Sequence, residues 1–291
     1  MVQILSGKET AAAMTESLRK DAEELKARGI LPALGIIRLG RREADLSYER
    51  GITKRCAAAG VEVKSRALAE DTSGEALLDL IGDLNADGSI HGILIFRPLP
   101  PHIDDNAVRN ALLPAKDVDG VTDASLAGVF TGSSRGFPPC TAEACLEILS
   151  HYGIDPAGKR AVVVGRSLVA GRPAALLLMH RHSTVTVCHT RTRDLPSVVR
   201  EGDLVIAAAG KPEFLGRECF REGQVIVDVG IHAGPGNVLC GDVNFAEAAE
   251  TAAAITPVPG GVGAVTPSVL ARHVIEAAKA SGPFCCAAPE N

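Results

Sequence analysis

Several features that mark other classes of protein are missing from this sequence. Its 291 residues carry a net charge of −5 and contain no long basic run, which disfavours nucleic acid as a partner. No apolar stretch approaches the roughly 18 residues that a membrane-spanning helix needs. The first residues place Lys8 and Glu9 where a signal peptide requires its apolar segment. These absences predict a soluble, cytoplasmic protein that binds neither nucleic acid nor membranes.

Cysteine and histidine patterns typical of disulfides or metal sites are also missing. The eight cysteines are scattered, and none forms a Cys-x-x-Cys pair. The eight histidines show no metal-ligand spacing. We therefore expect reduced, mostly buried thiols and no metal. Cys285 and Cys286 belong to a C-terminal tail that is predicted to be poorly ordered.

What the sequence does contain is an alternation of amphipathic helices and short apolar strands. The composition, 46% hydrophobic and 22% charged, is that of a globular protein large enough for two lobes. Predicted strands include LPALGIIRL, VEVKSRAL, HGILIF, RAVVV, TVTVCH, DLVIAAAG and QVIVDVGI. This rhythm predicts an α/β fold with a mainly parallel sheet buried on both faces. The irregular stretch from Pro114 to Cys140 is predicted to link the lobes.

A glycine-rich turn follows the predicted strand RAVVV. It contains Gly165, Arg166 and Ser167, and Gly171 lies a few residues further on, where a helix is predicted to begin. Such a turn directs backbone N–H groups and a helix N-terminus at an anion, typically a phosphate. The spacing differs from G-x-G-x-x-G, so an ordinary strand-to-helix turn is the alternative.

The end of the next strand indicates which dinucleotide this turn would hold. NAD sites usually carry an acidic residue there, about 20 residues after the turn, to bind the ribose hydroxyls. This strand ends HTRTR, with Thr190, Arg191 and Arg193 and no acid. Hydroxyl and guanidinium groups, including Arg166 from the first turn, suit a 2′-phosphate. The sequence therefore favours NADP.

Two further motifs could line a binding site. In TPVPGGVGAVTP, from Thr256 to Pro267, prolines stiffen the loop and glycines permit close backbone approach. A purely structural crossover is the alternative. In KDVDG, from Lys116 to Gly120, one carboxylate could hydrogen-bond the N–H and NH₂ edge of a pterin-like ligand. Solvated carboxylates are the alternative there.

Together these motifs resemble the bifunctional methylenetetrahydrofolate dehydrogenase/cyclohydrolase family, from about residue 3 to residue 280. KDVDG, GRS…GRP, DVGI, GDV and TPVPGGVG occur in that family's order. The resemblance implies a two-lobed α/β fold, usually a homodimer, with a reduced folate in the cleft between the lobes. It implies a folate-binding catalytic domain over residues 1–138 with 266–291, and a Rossmann-type NADP-binding domain over 139–265.

The resemblance also implies roles for particular residues. An aromatic ring at Tyr48 would stack on the folate, and the carboxylate of Asp119 would hold the pterin, so these two are the predicted catalytic residues. The loop lining the substrate would comprise Pro259, Gly260, Gly261, Val262 and Gly263. The cofactor would contact Gly165, Arg166, Ser167, Thr190 and Ile231, beside the Arg191 that the strand end already indicates.

Two positions depart from the family pattern. The family has a lysine four residues after the tyrosine, where this sequence has Ile52, and a glutamine where it has Phe96. In the family that lysine is linked to the proton chemistry of the cyclohydrolase. Lys54 lies about 200° around a helix from Ile52, so it is not expected to substitute. Asp45 and Arg97 are the new polar residues nearby, either as a pair or as separate solvated groups.

The sequence thus predicts an NADP-dependent 5,10-methylenetetrahydrofolate dehydrogenase whose cyclohydrolase activity is weak or lost. Hydride transfer needs mainly alignment, whereas hydrolysis of the methenyl bridge needs a group that moves protons. One alternative is a repurposed folate-binding paralogue that catalyses another one-carbon reaction. The other is a non-catalytic partner protein that binds folate and NADP.

Overall fold

Helices and strands alternate through the computed structural model, which describes residues 2–234, 236 and 238–281. The strands within these residues are β1 (Gln3–Ile4), β2 (Ala33–Leu39), β3 (Glu62–Leu68), β4 (Gly92–Ile95), β5 (Arg160–Val164), β6 (Thr184–Cys188), β7 (Leu204–Ala207), β8 (Val225–Asp228), β9 (His232–Ala233), β10 (Leu239–Cys240) and β11 (Ala254–Ile255). The helices are α1 (Gly7–Ala27), α2 (Glu43–Ala58), α3 (Gly74–Ala86), α4 (Asp105–Ala111), α5 (Asp123–Thr131), α6 (Cys140–His151), α7 (Gly171–His180), α8 (Leu195–Arg200), α9 (Phe245–Ala248) and α10 (Val262–Ala280).

The chain divides into two compact units. We call one the nucleotide unit, which comprises the described residues up to Ala12, Val129–Ser133 and Pro138–Thr266. We call the other the catalytic unit, which comprises Ala13–Gly128, Ser134–Phe137 and the described residues from Pro267 onward. Each unit has its own sheet, as the α/β pattern of the sequence predicts.

The nucleotide unit is built on a six-stranded sheet with the order β1-β11-β8-β7-β5-β6. Every pair in this sheet is parallel. Its central strands are buried because their side chains are apolar on both faces, as in β7. Strand β6 was predicted to be buried, but it is mostly exposed, since it lies at the edge and pairs only with β5. Strands β9 and β10 form a separate antiparallel pair.

The catalytic unit is built on a three-stranded parallel sheet with the order β3-β2-β4. Every residue of the central strand β2 is buried, and so is every residue of β4. Their apolar side chains pack with those of α3, including Leu77 and Ile81. Helix α3 begins at Ser73, whose hydroxyl accepts the Ala76 N–H at 3.2 Å. The apolar packing of β2 and β4 against α3 therefore fixes the positions of their carboxyl ends.

Two segments differ from the expectation. Residues 1–138 were predicted to form one domain, yet Gln3–Ile4 is a strand of the nucleotide sheet, since it pairs in parallel with β11. The stretch from Pro114 to Cys140 was predicted to be irregular, and this is wrong for Asp123–Thr131, which is helix α5. The Thr122 hydroxyl starts that helix by accepting the Ser125 N–H at 3.0 Å.

The cysteines of the described residues are free, and all but Cys240 are buried. This confirms the expectation that the thiols are mostly buried. Burial raises the pKa of the Cys56 and Cys145 thiols to about 12, so they carry little thiolate at neutral pH. Cys285 and Cys286 lie outside the described residues. Within the described part of the chain, no helix combines the length and hydropathy that crossing a membrane requires.

Candidate functional site

The glycine-rich turn of the nucleotide unit follows β5 and leads to α7. Gly165 has a φ of +133°, and a Cβ there would lie 1.9 Å from the carbonyl oxygen of Ala208. A Cβ at Gly171 would lie 2.3 Å from the Gly165 carbonyl oxygen. Only glycine fits either place, so the backbone itself forms the cradle. The Ser167 hydroxyl accepts the Ala170 N–H at 3.2 Å and stabilises the turn. This cradle fits the phosphates of a dinucleotide.

The predicted 2′-phosphate residues lie on an exposed turn after β6. The turn is fixed by His189, whose backbone N–H donates to the Thr192 hydroxyl at 2.9 Å. Thr190 and Arg191 are therefore left exposed, as are Arg166 and Ser167 in the neighbouring turn. The next acid, Asp194, caps α8 by accepting the Ser197 N–H at 3.5 Å. A basic, hydroxylated surface of this kind fits a 2′-phosphate better than a free ribose hydroxyl.

Asp228 and Asp242 hold the segments around Ile231 by hydrogen bonds to several backbone N–H groups. Asp228 accepts the backbone N–H groups of Asp242 and Val243, both at 3.0 Å. It also accepts the Gly230 N–H at 2.9 Å. Asp242 in turn accepts the N–H groups of Gly210 and Lys211 and bonds His232 Nε2 at 2.7 Å. The motifs DVGI and GDV are thus two halves of one scaffold.

Burial of Asp228 has an electrostatic consequence. Desolvation raises the pKa of this carboxyl to about 6, against the opposing effect of its three backbone hydrogen bonds. The nearby Asp242 adds to the rise. The group therefore titrates in the weakly acidic range, inside the frame that supports Ile231.

The glycine-proline loop belongs to the same unit and lines a cavity. Gly260 has a φ of +103°, and its carbonyl accepts the Gly7 N–H at 2.9 Å. A Cβ at Gly263 would lie 2.7 Å from Cδ1 of Ile231, so loop and Ile231 meet closely. The cavity has a volume of about 280 Å³ and is lined by Lys8, Asp228, Gly230, Ile231, Leu239 and residues 257–264, which include Pro259, Gly261 and Val262. The structure thus brings Ile231 together with the predicted substrate loop.

In the catalytic unit, KDVDG assigns different tasks to its residues. Lys116 donates to the Leu84 and Asp87 carbonyls at the end of α3, at 2.9 and 2.8 Å. Asp117 is fully buried and accepts the Val121 N–H, the Thr122 N–H and the Ser125 hydroxyl. Asp119 is only half-buried. The scaffolding residues leave Asp119 as the carboxylate that can reach a ligand.

Helix α2 carries the aromatic platform of the catalytic unit. Tyr48 is 43% exposed, and its ring lies 5.6 Å from that of Phe96, which follows β4. Ile52, one helical turn after Tyr48, is 0% exposed, and Phe96 is 6% exposed. Lys54 is exposed. The structure therefore places an aromatic face at the surface above an apolar core.

The two new polar residues have separate partners. Asp45 accepts from Nε of Arg42 at 2.7 Å at the start of α2. The Arg97 guanidinium donates through Nη1 to Asp105 at the start of α4. The sequence left open whether Asp45 and Arg97 form an ion pair. They do not, because Asp45 pairs with Arg42 and Arg97 pairs with Asp105.

Sequence reasoning missed the structural carboxylates Asp117, Asp228 and Asp242. Their signal was present, since each lies within three residues of a glycine in a short motif. A Cβ at Gly241 would lie 1.9 Å from the Asp228 carboxylate, and one at Gly230 would lie 2.5 Å from that of Asp242. Gly241 allows the Asp228 carboxylate to reach the backbone of Asp242 and Val243, and Gly230 leaves room for the Asp242 carboxylate.

This arrangement defines a two-domain α/β protein, with a dinucleotide cradle in one unit and an aromatic and carboxylate site in the other. Models of two domains of one protein family match this chain. Residues 139–282 match the tetrahydrofolate dehydrogenase/cyclohydrolase NAD(P)-binding domain, and residues 5–119 match the catalytic domain of the same family.

Individual relatives agree with this assignment. The bifunctional protein FolD of Alkaliphilus oremlandii is 44% identical over 96% of this chain and 98% of its own length. The structure of FolD from Campylobacter jejuni matches with a TM-score of 0.93 and 37% identity, covering 96% of this chain and 99% of that one. A Trypanosoma brucei FolD complexed with NADP and inhibitor matches with a TM-score of 0.90 and 36% identity, covering 96% and 98%. The chain belongs to the tetrahydrofolate dehydrogenase/cyclohydrolase family.

Proposed function

We propose that this protein is an NADP-dependent 5,10-methylenetetrahydrofolate dehydrogenase whose methenyltetrahydrofolate cyclohydrolase activity is weak or absent. Membership of the family supports the first half of this proposal, together with the intact cradle at Gly165 and Gly171. The second half depends on one observation. Where the family resemblance expects a lysine and a glutamine, this chain has the buried apolar residues Ile52 and Phe96.

Neither Ile52 nor Phe96 can act as a general acid or base. Hydrolysis of the methenyl bridge requires an activated water and proton transfer, for which enzymes use a positioned ionisable side chain. The change is physically coherent, because a polar partner left alone in this apolar setting would carry an unsatisfied hydrogen-bonding group. In this chain both positions of that lysine–glutamine pair hold apolar residues, Ile52 and Phe96.

The ionisable groups of α2 do not replace the missing lysine. Asp45 is bound to Arg42, and Glu49 accepts from Nε of Arg38 at 2.8 Å. Burial acts to raise the pKa of Glu49, but hydrogen bonds from Ser65 and Arg38 outweigh it and leave that pKa lowered. Glu49 is thus a paired carboxylate at neutral pH. Lys54 is exposed on the face opposite to Ile52.

The residues that remain suit a reaction that depends on alignment. Tyr48 would stack on the folate, and Asp119 would accept hydrogen bonds from the pterin. When bound, NADP⁺ supplies the acceptor for a hydride from the methylene carbon. The Gly165–Ser167 turn would hold its phosphates, Thr190 and Arg191 its 2′-phosphate.

Ile231 and the loop from Pro259 to Gly263 would shape the reaction site from the nucleotide unit, around the cavity of about 280 Å³. Holding two reactants in one geometry can itself supply much of the rate enhancement. A homodimeric assembly is a further proposal that rests on the family resemblance. A cytoplasmic location rests on the sequence alone.

A coupled assay tests the proposal. The purified protein is given 5,10-methylenetetrahydrofolate and NADP⁺, and NADPH and methenyltetrahydrofolate are measured separately. We expect NADPH to form and the methenyl product to accumulate. Asp119→Ala should abolish NADPH formation. Rapid enzymatic loss of the methenyl product, itself abolished by Asp119→Ala, would refute the loss of cyclohydrolase.

The family relationship favours this function over the two alternatives left by the sequence. A repurposed paralogue would bind NADPH yet form no NADPH from 5,10-methylenetetrahydrofolate and NADP⁺. A non-catalytic partner protein would bring no turnover in either direction. The same assay, combined with calorimetric titration of NADPH, separates these outcomes.

A further inference from the structure

Arg97 has a guanidinium group that is only partly used by the protein. Its Nη1 donates to Asp105, while Nε and Nη2 are shielded from solvent and have no hydrogen-bond partner among the described residues. Buried polar groups of folded proteins are nearly always paired, because an unpaired donor forfeits the hydrogen bonds that it makes with water. Two unpaired donors on one side chain therefore need an explanation.

The two unpaired nitrogens lie on the same edge of the group. Within the planar guanidinium, the Nε–H and the Nη2–H are adjacent and parallel, which is the fork that binds two neighbouring acceptor atoms. Asp105 is bound through the remaining nitrogen, so it holds the side chain without occupying this fork. A complete bidentate donor is thus left without an acceptor among the described residues.

The residues around Arg97 indicate which ligand its Nε–Nη2 fork could bind. Arg97 follows Phe96, whose ring lies 5.6 Å from that of Tyr48. Burial lowers the pKa of the Arg97 guanidinium and Arg109 lowers it further, whereas the carboxylates of Asp119 and Asp117 act to raise it. Arg97 is thus close enough to Asp119 to feel its charge. The fork lies in the neighbourhood of the residues proposed to hold the pterin.

We propose that Arg97 is a substrate-binding residue whose Nε–Nη2 fork donates to a pair of adjacent acceptor atoms on the reduced folate. The pair is either the C4 carbonyl oxygen and the N5 ring nitrogen of the pterin or a carboxylate of the glutamate tail. Both present acceptors at the spacing of the fork. This assignment rests on the proposed function, since it takes a reduced folate as the ligand.

Substrate binding by Arg97 would be a further difference from the family pattern, beside Ile52 and Phe96. Ile52 and Phe96 remove polar groups from the site, whereas Arg97 adds a fixed charge beside them. A guanidinium stays protonated across the physiological range, so Arg97 cannot replace a general acid or base. It can only bind and orient. The fork thus strengthens substrate alignment and leaves the proton-transfer group missing.

Calorimetric titration of the full-length protein tests this inference. The ligands are tetrahydrofolate, 6-methyltetrahydropterin, which lacks the glutamate tail, and NADPH. The variants are Arg97→Leu, Arg97→Lys and Arg109→Leu. Arg109 is a matched control, since it is a neighbouring arginine with an unpaired Nε, but its Nη2 is bound by Asp123 at 2.9 Å and Asn106 at 3.1 Å.

We expect Arg97→Leu to weaken tetrahydrofolate binding by about 10-fold or more, the typical effect of losing a charged hydrogen bond. Arg97→Lys should also weaken it, because a lysine keeps the charge but lacks the fork. NADPH binding should stay within about two-fold, as should tetrahydrofolate binding by Arg109→Leu. The thermal midpoint of Arg97→Leu should not fall, since two unpaired donors are removed.

Either result with 6-methyltetrahydropterin supports a binding role for the Arg97 fork, provided that Arg97→Leu weakens tetrahydrofolate binding. An equal loss with 6-methyltetrahydropterin places the acceptor pair on the pterin, and a loss confined to tetrahydrofolate places it on the glutamate tail. Unchanged tetrahydrofolate affinity in Arg97→Leu overturns the inference. So does an equal loss in Arg109→Leu, which would indicate a general effect of charge. So does a parallel fall in thermal midpoint and NADPH affinity, which would make Arg97 structural. Failure of the unaltered protein to bind tetrahydrofolate while binding NADPH would instead overturn the proposed function.

Discussion

The two units differ in whether all of their buried polar side-chain groups are paired. In the nucleotide unit, Asp228 is satisfied by the backbone N–H groups of Gly230, Asp242 and Val243, and Asp242 by those of Gly210 and Lys211. In the catalytic unit, Arg97 and Arg109 keep unpaired nitrogens, and Ser268 keeps an unpaired hydroxyl. Among the described residues, every buried side-chain nitrogen or oxygen without a partner belongs to the catalytic unit.

Under the proposed function, this difference separates a preformed cofactor site from a folate site that its ligand completes. The nucleotide cradle consists of backbone held by internal hydrogen bonds, so it exists before a cofactor arrives. The catalytic site instead combines an apolar floor, Ile52 and Phe96, with donors that have no internal acceptor. Proteins depart from local rules mainly at functional sites. The catalytic unit is therefore where this chain differs in chemistry from what its family resemblance leads us to expect.

The largest expected effect comes from restoring polarity in the catalytic unit. The double variant Ile52→Lys with Phe96→Gln should gain cyclohydrolase activity by roughly 10²-fold or more, the usual contribution of a positioned acid or base. Hydrolysis of methenyltetrahydrofolate measures the gain. Stability should fall, because a lysine would replace a fully buried side chain.

The matched control for that variant is Ile52→Met with Phe96→Leu, which alters both positions without adding an ionisable group. It should leave hydrolysis unchanged. Equal gains in both double variants would mean that space rather than proton transfer limits hydrolysis. No gain in the lysine variant, with its fold intact, would show that other residues of the site suppress hydrolysis.

The second effect concerns the nucleotide unit. Gly165→Ala should lower NADPH affinity by roughly 30-fold or more, since its Cβ would overlap the Ala208 carbonyl and overpacking commonly costs about 1–3 kcal/mol or more. Titration of NADPH measures the loss, and tetrahydrofolate titration provides the comparison. Gly153→Ala, at a positive-φ glycine with no atom within 4 Å of the added Cβ, is the control and should leave NADPH affinity unchanged. Unaltered NADPH binding by Gly165→Ala would place the cofactor elsewhere.

The third effect is a pH dependence of the nucleotide unit. Because the folded-state pKa of Asp228 is raised from 3.8 to about 6, the folded protein binds more protons than the unfolded chain between these values. Stability contributed by the protonated group is thus present at low pH and lost as pH rises from about 4 to about 6. The loss should be about 1–3 kcal/mol.

Denaturant unfolding at a series of pH values measures this slope, with Asp228→Asn as the variant that cannot titrate. The slope should disappear in Asp228→Asn, although its overall stability should also drop, since an amide cannot accept all three backbone hydrogen bonds. An identical slope in both proteins would assign the pH dependence to other groups.

The smallest expected effect is on cofactor selectivity. Arg191→Gln should weaken NADP⁺ binding by about 10-fold while leaving NAD⁺ binding unchanged, because only NADP⁺ carries the 2′-phosphate. Ratios of kcat/KM for the two cofactors measure the change. Arg181→Gln, at an exposed arginine of the same unit after α7, serves as the control. An equal loss for both cofactors would place Arg191 at another part of the dinucleotide.

Much of the scaffold was predictable from sequence because it depends on local patterns. The apolar run LPALGIIRL forms β2, and the helix on which the sequence places Ile52 and Lys54 is α2. The exposure of β6 was not predictable, since an edge strand and a central strand can share the same apolar pattern. Its place in the sheet depends on long-range pairing.

The site divided in the same way. The sequence shows that an isoleucine, Ile52, stands where the family resemblance expects a lysine. The spacing of Ile52 and Lys54 alone places them on different faces of a helix. The free fork of Arg97 and the buried carboxylate of Asp117 cannot, since each depends on which partners the fold brings near. The roles proposed for Tyr48 and Asp119 stay predictions.

The most direct test of the account is the ratio of the two activities in the unaltered protein. With 5,10-methylenetetrahydrofolate and NADP⁺, we predict that methenyltetrahydrofolate accumulates in step with NADPH and disappears no faster than it does without enzyme. Methenyltetrahydrofolate that is hydrolysed as fast as NADPH forms would contradict the account, because Ile52 and Phe96 would then not have removed the proton-transfer step.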